Sequence, residues 1–170
     1  MSTVSEEMVV DAVDQSDTPI GIIRRNEVFK RQANFRVVHD LVFNQRGELL
    51  VQKLASTRTR HPGYWGSSVA GYIFAGESYE AAARRRLGEE LGIYGVPLNY
   101  IGKTSMEDDG CHKFIGIFST IHDGPFNFDR DHIETLEFLP RRVIHELHAA
   151  GRRTFTPTFL RVLRFYESRM

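Results

Sequence analysis

The sequence predicts an α/β fold, a mixed β-sheet covered by helices on both faces in an α/β/α sandwich. Three observations predict it. Strand-like segments lie on both sides of one strong helical segment that ends at Gly92. Two further helix-like segments close the chain beyond Pro140. At 170 residues, 41% apolar and 26% charged, the chain can bury a core and has an ordinary globular composition. No repeat, low-complexity run or linker divides it, so residues 1–170 read as one domain.

Residues 1–6 are polar and read as a frayed tail. Segments 8–13 and 20–23 read as strands. The turn-rich run DQSDTP between them makes the pair an N-terminal hairpin. Asn26 to Gln32 reads as a short helix capped by Asn26, with Val28 and Phe29 packing inward. Phe35 to Phe43 is a strong strand candidate. Asn44 to Gly47 is a turn, and Glu48 to Lys53 returns. His39 lies within the first of these strands, where a lone histidine is normally a structural residue. Residues 55–71 are rich in glycine and polar residues and read as a loop anchored by Trp65.

The helical segment follows. Ala83, Leu87 and Leu91 recur every four residues and form one apolar stripe. Ala81, Ala82 and Ala83 favour helix, and Gly92 stops it. Glu89 and Glu90 lie off the stripe, where paired carboxylates normally belong to a solvated face. Leu98 to Ser105 and Lys113 to Ile121 read as strands flanking an acidic turn at Glu107 to Gly110. Glu134 to Phe138 is a short strand. Pro140 starts a helix that runs to Ala150 and stops at Gly151. Thr156 and Pro157 open a last amphipathic helix carrying Phe159, Leu160, Val162, Leu163 and Phe165.

Lysine plus arginine equals aspartate plus glutamate, 22 each, so no net field favours nucleic acid or a membrane surface. Cys111 is the one cysteine, which excludes an intrachain disulfide and suits a reducing compartment. It reads as a buried small hydrophobe. The acidic N-terminal stretch lacks the basic and apolar regions of a secretory leader. No apolar run approaches the ~18 residues a spanning helix needs. A cytoplasmic location is the expectation.

Residues Gly71 to Ile93, GYIFAGESYEAAARRRLGEELGI, hold the pattern with most chemical content. Glu77 follows Gly71 after five residues, and Arg85 follows after seven more. Leu87, Glu89, Glu90, Gly92 and Ile93 then fall in register. This resembles the signature of the Nudix hydrolase superfamily at every specified position but one: Arg86 stands where the first helix glutamate belongs. The preceding PGYWGSSVAG run resembles the isopentenyl-diphosphate-isomerase-like branch, which also carries arginine at that position. The resemblance covers roughly residues 8–145.

The resemblance implies a Nudix-type sandwich and a small-molecule diphosphate substrate held by a metal ion and basic side chains. It makes Glu89 and Glu90 the catalytic carboxylates and ligands for Mg²⁺ or Mn²⁺, joined by the Ala70 carbonyl. Such an ion polarises a phosphoryl group and lowers the pKa of bound water. Gly71, Glu77, Arg85 and Gly92 become structural, with Glu77 and Arg85 paired. Lys53 and Arg58 become diphosphate binders, for which guanidinium and ammonium groups are suited; a solvated charged loop is the alternative. Arg86 changes the charge at the centre of the site by two units. It lies three residues from Glu89 and four from Glu90, on their helix face. Three outcomes stay open. Another carboxylate serves, from Glu107, Asp108, Asp109, Asp131 or Glu134. Arg86 itself binds phosphate. Or the protein binds a nucleotide-derived diphosphate without turnover. The isomerase's own cysteine and histidine positions are Ala70 and Tyr72, so isomerisation is not expected. The N-terminal hairpin and the last helix are candidate faces for a homodimer.

Overall fold

The computed structural model describes residues 8–170, and the expected frayed tail lies outside them. Strands β1 (Val9–Val13) and β2 (Pro19–Arg24) form the N-terminal hairpin. The main sheet has seven strands: β3 (Phe35–Phe43), β4 (Leu49–Leu54), β5 (Trp65–Gly66), β6 (Val69–Tyr72), β7 (Asn99–Asp108), β8 (Cys111–Ile121) and β9 (Ile133–Leu139). Helix α1 spans Tyr79–Leu91, α2 Arg141–Ala149 and α3 Pro157–Ser168.

The long apolar β3 is the hub. It runs parallel to β8 along nine paired positions and antiparallel to β6 from Val37 to Asp40. Strand alternation sends its side chains to opposite faces. Phe35, Val37, Leu41 and Phe43 join the core beneath α2, α3 and the hairpin. Val38 and Val42 pack with Ala82, Ala83, Leu87 and Leu91 of α1. The mixed sheet is therefore covered on both faces, as the element order predicts.

Three expectations need correction. Asn26 does not cap a helix: one turn of 3₁₀ helix covers Arg25–Glu27 without a side-chain cap, and Gln32 turns the chain back with φ +51°. The tight pairing expected of β3 and β4 survives only at Phe43 and Leu49, because β6 takes the edge of β3 and β9 that of β4. The expected loop 55–71 contains β5 and most of β6. Trp65 does anchor this region: it packs on the core, bridges to Phe155 and has the Arg153 guanidinium 4.1 Å above its ring. Cys111 is fully buried.

Helix α1 is closed at both ends by local chemistry. Ser78 caps it by accepting from the Ala81 N–H, and Gly92 ends it with φ +69°. Its N-terminal half is tied to the sheet by buried Asp17, which accepts from Arg36 (2.6 Å), Tyr79 (2.7 Å) and Lys103 (2.7 Å). Burial alone would raise the Asp17 carboxyl, but these bonds outweigh it and hold it below the usual carboxylate range.

Candidate diphosphate cleft

A cleft of about 820 Å³ lies on the β3–β6–β8 face, between the loop before β5, the end of α1 and the start of α3. Arg58, Ala70, Gly71, Arg86, Glu89 and Glu90 line one end.

The motif residues there form one network. Arg85 donates to both oxygens of Glu77 (2.7 and 3.0 Å) and to the Tyr72 carbonyl (3.0 Å), while stacking 3.9 Å from the Phe74 ring. Glu77 also accepts from the Phe74 N–H. These contacts bind the loop before α1 to the helix. Gly71 sits in β6 with no room for a side chain, since a Cβ there would collide with Arg86.

Arg86 is the centre. Its guanidinium donates to Glu90 (2.5 Å), Glu89 (3.0 Å) and the Ala70 carbonyl (3.2 Å). Burial would lower its pKa, but the charges of Glu90 and Glu89 outweigh that and raise it. Glu90 is 4% exposed, not on a solvated face, and its second oxygen accepts from Gln52 (2.8 Å). Glu89 is exposed; one oxygen takes Arg85 and Arg86, and its Oε2 makes no hydrogen bond with the described residues. The metal ligands that the resemblance implies are thus the three groups that hold Arg86. That donor set does not fit a divalent ion in this arrangement, because a fixed cation already occupies its centre. Among the described residues no cluster of three or more His, Cys, Asp or Glu side chains is placed to hold one.

Arg58 is different. It lines the cleft, yet its guanidinium makes no hydrogen bond or ion pair with the described residues. Burial lowers its pKa, and the Glu90 charge pulls the other way. Lys53 is placed elsewhere. Its ammonium pairs with Glu134 (3.0 Å), and it does not line the cleft. Of the other carboxylates considered, Asp108 and Asp131 line the cleft. Glu107 pairs with His112, Asp109 with Arg60, and Glu134 with Lys53.

Several site residues carry no sequence signal. Gln52 is one of two polar residues, with Lys53, in an otherwise apolar strand. Asp40 is fully buried on β3, and neither of its oxygens has a hydrogen-bond partner among the described residues. Burial and then the Glu90 charge raise its pKa well above the ordinary carboxylate value. A buried polar group without partners costs stability. Asp40→Val is expected to raise the thermal midpoint by roughly 4–8 °C, about 2 kcal/mol. Differential scanning calorimetry checks this, and an unchanged or lower midpoint refutes it. His39 is buried, with Nδ1 at 2.7 Å from Ser67 Oγ. Burial and the Lys113 charge push its pKa down to about 3, so the ring is neutral.

At the far end of the cleft Asp108 accepts from Arg60 (2.7 and 3.2 Å) and Lys113 (2.8 Å). Burial raises its pKa, but these bonds bring it down to about 2. A depressed folded pKa means that the contribution is complete above about pH 4 and is lost as pH falls toward 2. Asp108→Asn is therefore expected to flatten the fall in midpoint between pH 4 and 2. Thermal melts across that window check it.

Comparison with known proteins gives the family. The NUDIX domain model matches residues 33–159, and the chain belongs to that family. An uncharacterised Nudix hydrolase of Pseudomonas aeruginosa is 31% identical over 163 residues, 95% of each chain. An isopentenyl-diphosphate Delta-isomerase of Photorhabdus laumondii is 36% identical over 115 residues, 62% of this chain and 64% of its own. A Deinococcus radiodurans crystal structure superposes with TM-score 0.81 at 23% identity, over 93% of this chain and 99% of that one; it supports the fold alone.

Proposed function

We propose that the protein binds a nucleotide-derived diphosphate in this cleft and hydrolyses its phosphoric anhydride. The observation that carries the reading is Arg58, a partly buried guanidinium without a hydrogen-bond or ion-pair partner among the described residues, beside Arg86 and the motif helix. A cation held from full solvation and left unpaired is arranged for an anion, and a guanidinium suits phosphate oxygens. Arg58 and Arg86 would spread positive charge over the diphosphate, the main requirement of phosphoryl transfer. Glu89 would take the proton of the attacking water on its unbonded Oε2. Glu90 would act through Arg86, which it holds in place. No step is assigned to a metal ion, because Arg86 fills the implied ligand set.

The test is a product-resolved screen of nucleoside diphosphates, triphosphates, sugar nucleotides and dinucleotides, with Mg²⁺, with Mn²⁺ and with chelator. Release of a phosphate-containing product is expected, with Glu89→Gln lowering kcat by about 10²–10⁴. Absence of both turnover and ligand-induced stabilisation would refute the proposal. One observation favours a second reading, in which the ligand is bound without turnover: Arg86 converts a metal-binding turn into a closed ion-pair cluster. Stabilisation by nucleotides with no product in any condition would select it.

A further inference from the structure

The cleft has a second polar end that the diphosphate does not use. Lys113 opens the paired stretch of β8 opposite Phe35, and His39 lies four residues further along β3, beside Ala70. All these positions fall on one sheet face. Four strand residues span about 13 Å. The arginine end and the Lys113 end are therefore separated along the strands by the length of a small organic group attached to phosphate. The aromatic rings of Phe29, Phe35 and Tyr72 line the same cleft.

Lys113 is 6% exposed. Its ammonium has three N–H donors, of which one goes to Asp108 and one to the Thr158 hydroxyl oxygen (2.6 Å). The Thr158 hydroxyl accepts that bond and keeps its own proton, which no described residue accepts. Two donors thus remain within one hydrogen-bond length of each other at the cleft wall. Asp108 is not left as a matching acceptor. It already carries three charge-assisted bonds from Arg60 and Lys113, and the Arg60 guanidinium carbon lies 4.3 Å from the Phe29 ring centroid.

Two converging donors suit one oxygen with two lone pairs. A ring nitrogen offers a single lone pair, and an exocyclic amine presents further donors. An apolar chain would bury the Lys113–Asp108–Arg60 group without compensation. We infer that the far end of the cleft reads a carbonyl oxygen on a planar heterocycle, such as an oxo-nucleobase, with Lys113 and Thr158 as its specificity-determining residues. This deepens the diphosphate reading and rests on it for orientation of the ligand.

The experiment is calorimetric titration of the full chain, carrying Glu89→Gln to suppress turnover, with four probes: inorganic diphosphate, UDP, ADP and isopentenyl diphosphate. UDP is expected to bind about tenfold or more tightly than each of the other three. Lys113→Met and Thr158→Val are each expected to remove about tenfold from the UDP affinity while leaving inorganic diphosphate unchanged. Thr158→Val is isosteric and keeps the Lys113–Asp108 pair, so it carries the test if Lys113→Met fails to fold. ADP or isopentenyl diphosphate binding as tightly as UDP overturns the inference, as does retention of the UDP preference in Thr158→Val. If inorganic diphosphate and UDP both fail to bind, the diphosphate reading fails. Saturation-transfer NMR with uridine and adenosine then decides the far end alone. A uridine signal that disappears in Thr158→Val supports it, and equal or absent signals overturn it.

Discussion

Arg86→Glu is expected to lower the thermal midpoint of the protein sharply in metal-free buffer, and Mn²⁺ or Mg²⁺ is expected to restore it. The native guanidinium satisfies Glu90, Glu89 and the Ala70 carbonyl together. Removing it leaves Glu90, 4% exposed, with only the Gln52 amide. Breaking such a pair costs about 3–5 kcal/mol when both partners are buried. Arg86 is partly exposed at 27% of its side chain, so the lower part of that range applies. The substituted carboxylate adds like-charge repulsion beside Glu89 and Glu90. About 3 kcal/mol corresponds to roughly 6–12 °C in a chain of this length. The same substitution assembles three carboxylates and a carbonyl, a hard-oxygen set suited to Mg²⁺ or Mn²⁺. A metal at a hundred times its Kd would return about 2.7 kcal/mol. Melts of native and variant protein, with and without Mn²⁺, check both halves. A variant as stable as the native chain and indifferent to Mn²⁺ would show that Arg86 is not the resident cation. If the variant also gains metal-dependent turnover that the native chain lacks, the binding-only reading prevails.

Arg58→Ala is expected to reduce affinity for inorganic diphosphate by about 10- to 100-fold with the fold intact. A hydrogen bond to a charged group is worth about 1.5–3 kcal/mol, and Arg58 is a cation of the cleft with no hydrogen-bonded partner to lose among the described residues. Its removal breaks no ion pair among the described residues and relieves the cost of partial burial. The midpoint without ligand should therefore hold or rise while ligand-induced stabilisation disappears. Lys53→Ala is the contrast: it breaks only the exposed pair with Glu134 and should leave diphosphate affinity unchanged. Equal losses in both variants would mean that the phosphate sits elsewhere.

The motif residues illustrate what a sequence pattern can carry. The spacing of Gly71, Glu77 and Arg85 corresponds to one local loop-to-helix junction, with its partners within fourteen residues of one another. The stripe of Ala83, Leu87 and Leu91 is likewise a local periodic signal. Lys53 and Arg58 look equivalent in sequence, five residues apart in a basic segment. Their separation depends on β9, which brings Glu134 to Lys53, while Arg58 has no ion pair among the described residues. Glu90 reads as solvated on helical spacing alone. It is buried because β4 places Gln52 against it, a contact across thirty-eight residues.

Local physics written along the chain therefore determined the mixed sandwich, the motif helix with its caps, and the presence of Arg86 at a carboxylate position. Strand partners are set by competition among edges, which no single segment encodes. That competition moved β6 onto β3, closed Arg86 over Ala70, Glu89 and Glu90, and set Lys113, Asp108 and Thr158 at the opposite end of one cleft. Only the tertiary structure decided those contacts, because each joins residues whose separation in sequence exceeds the reach of helix or strand periodicity or depends on which face a neighbouring strand presents.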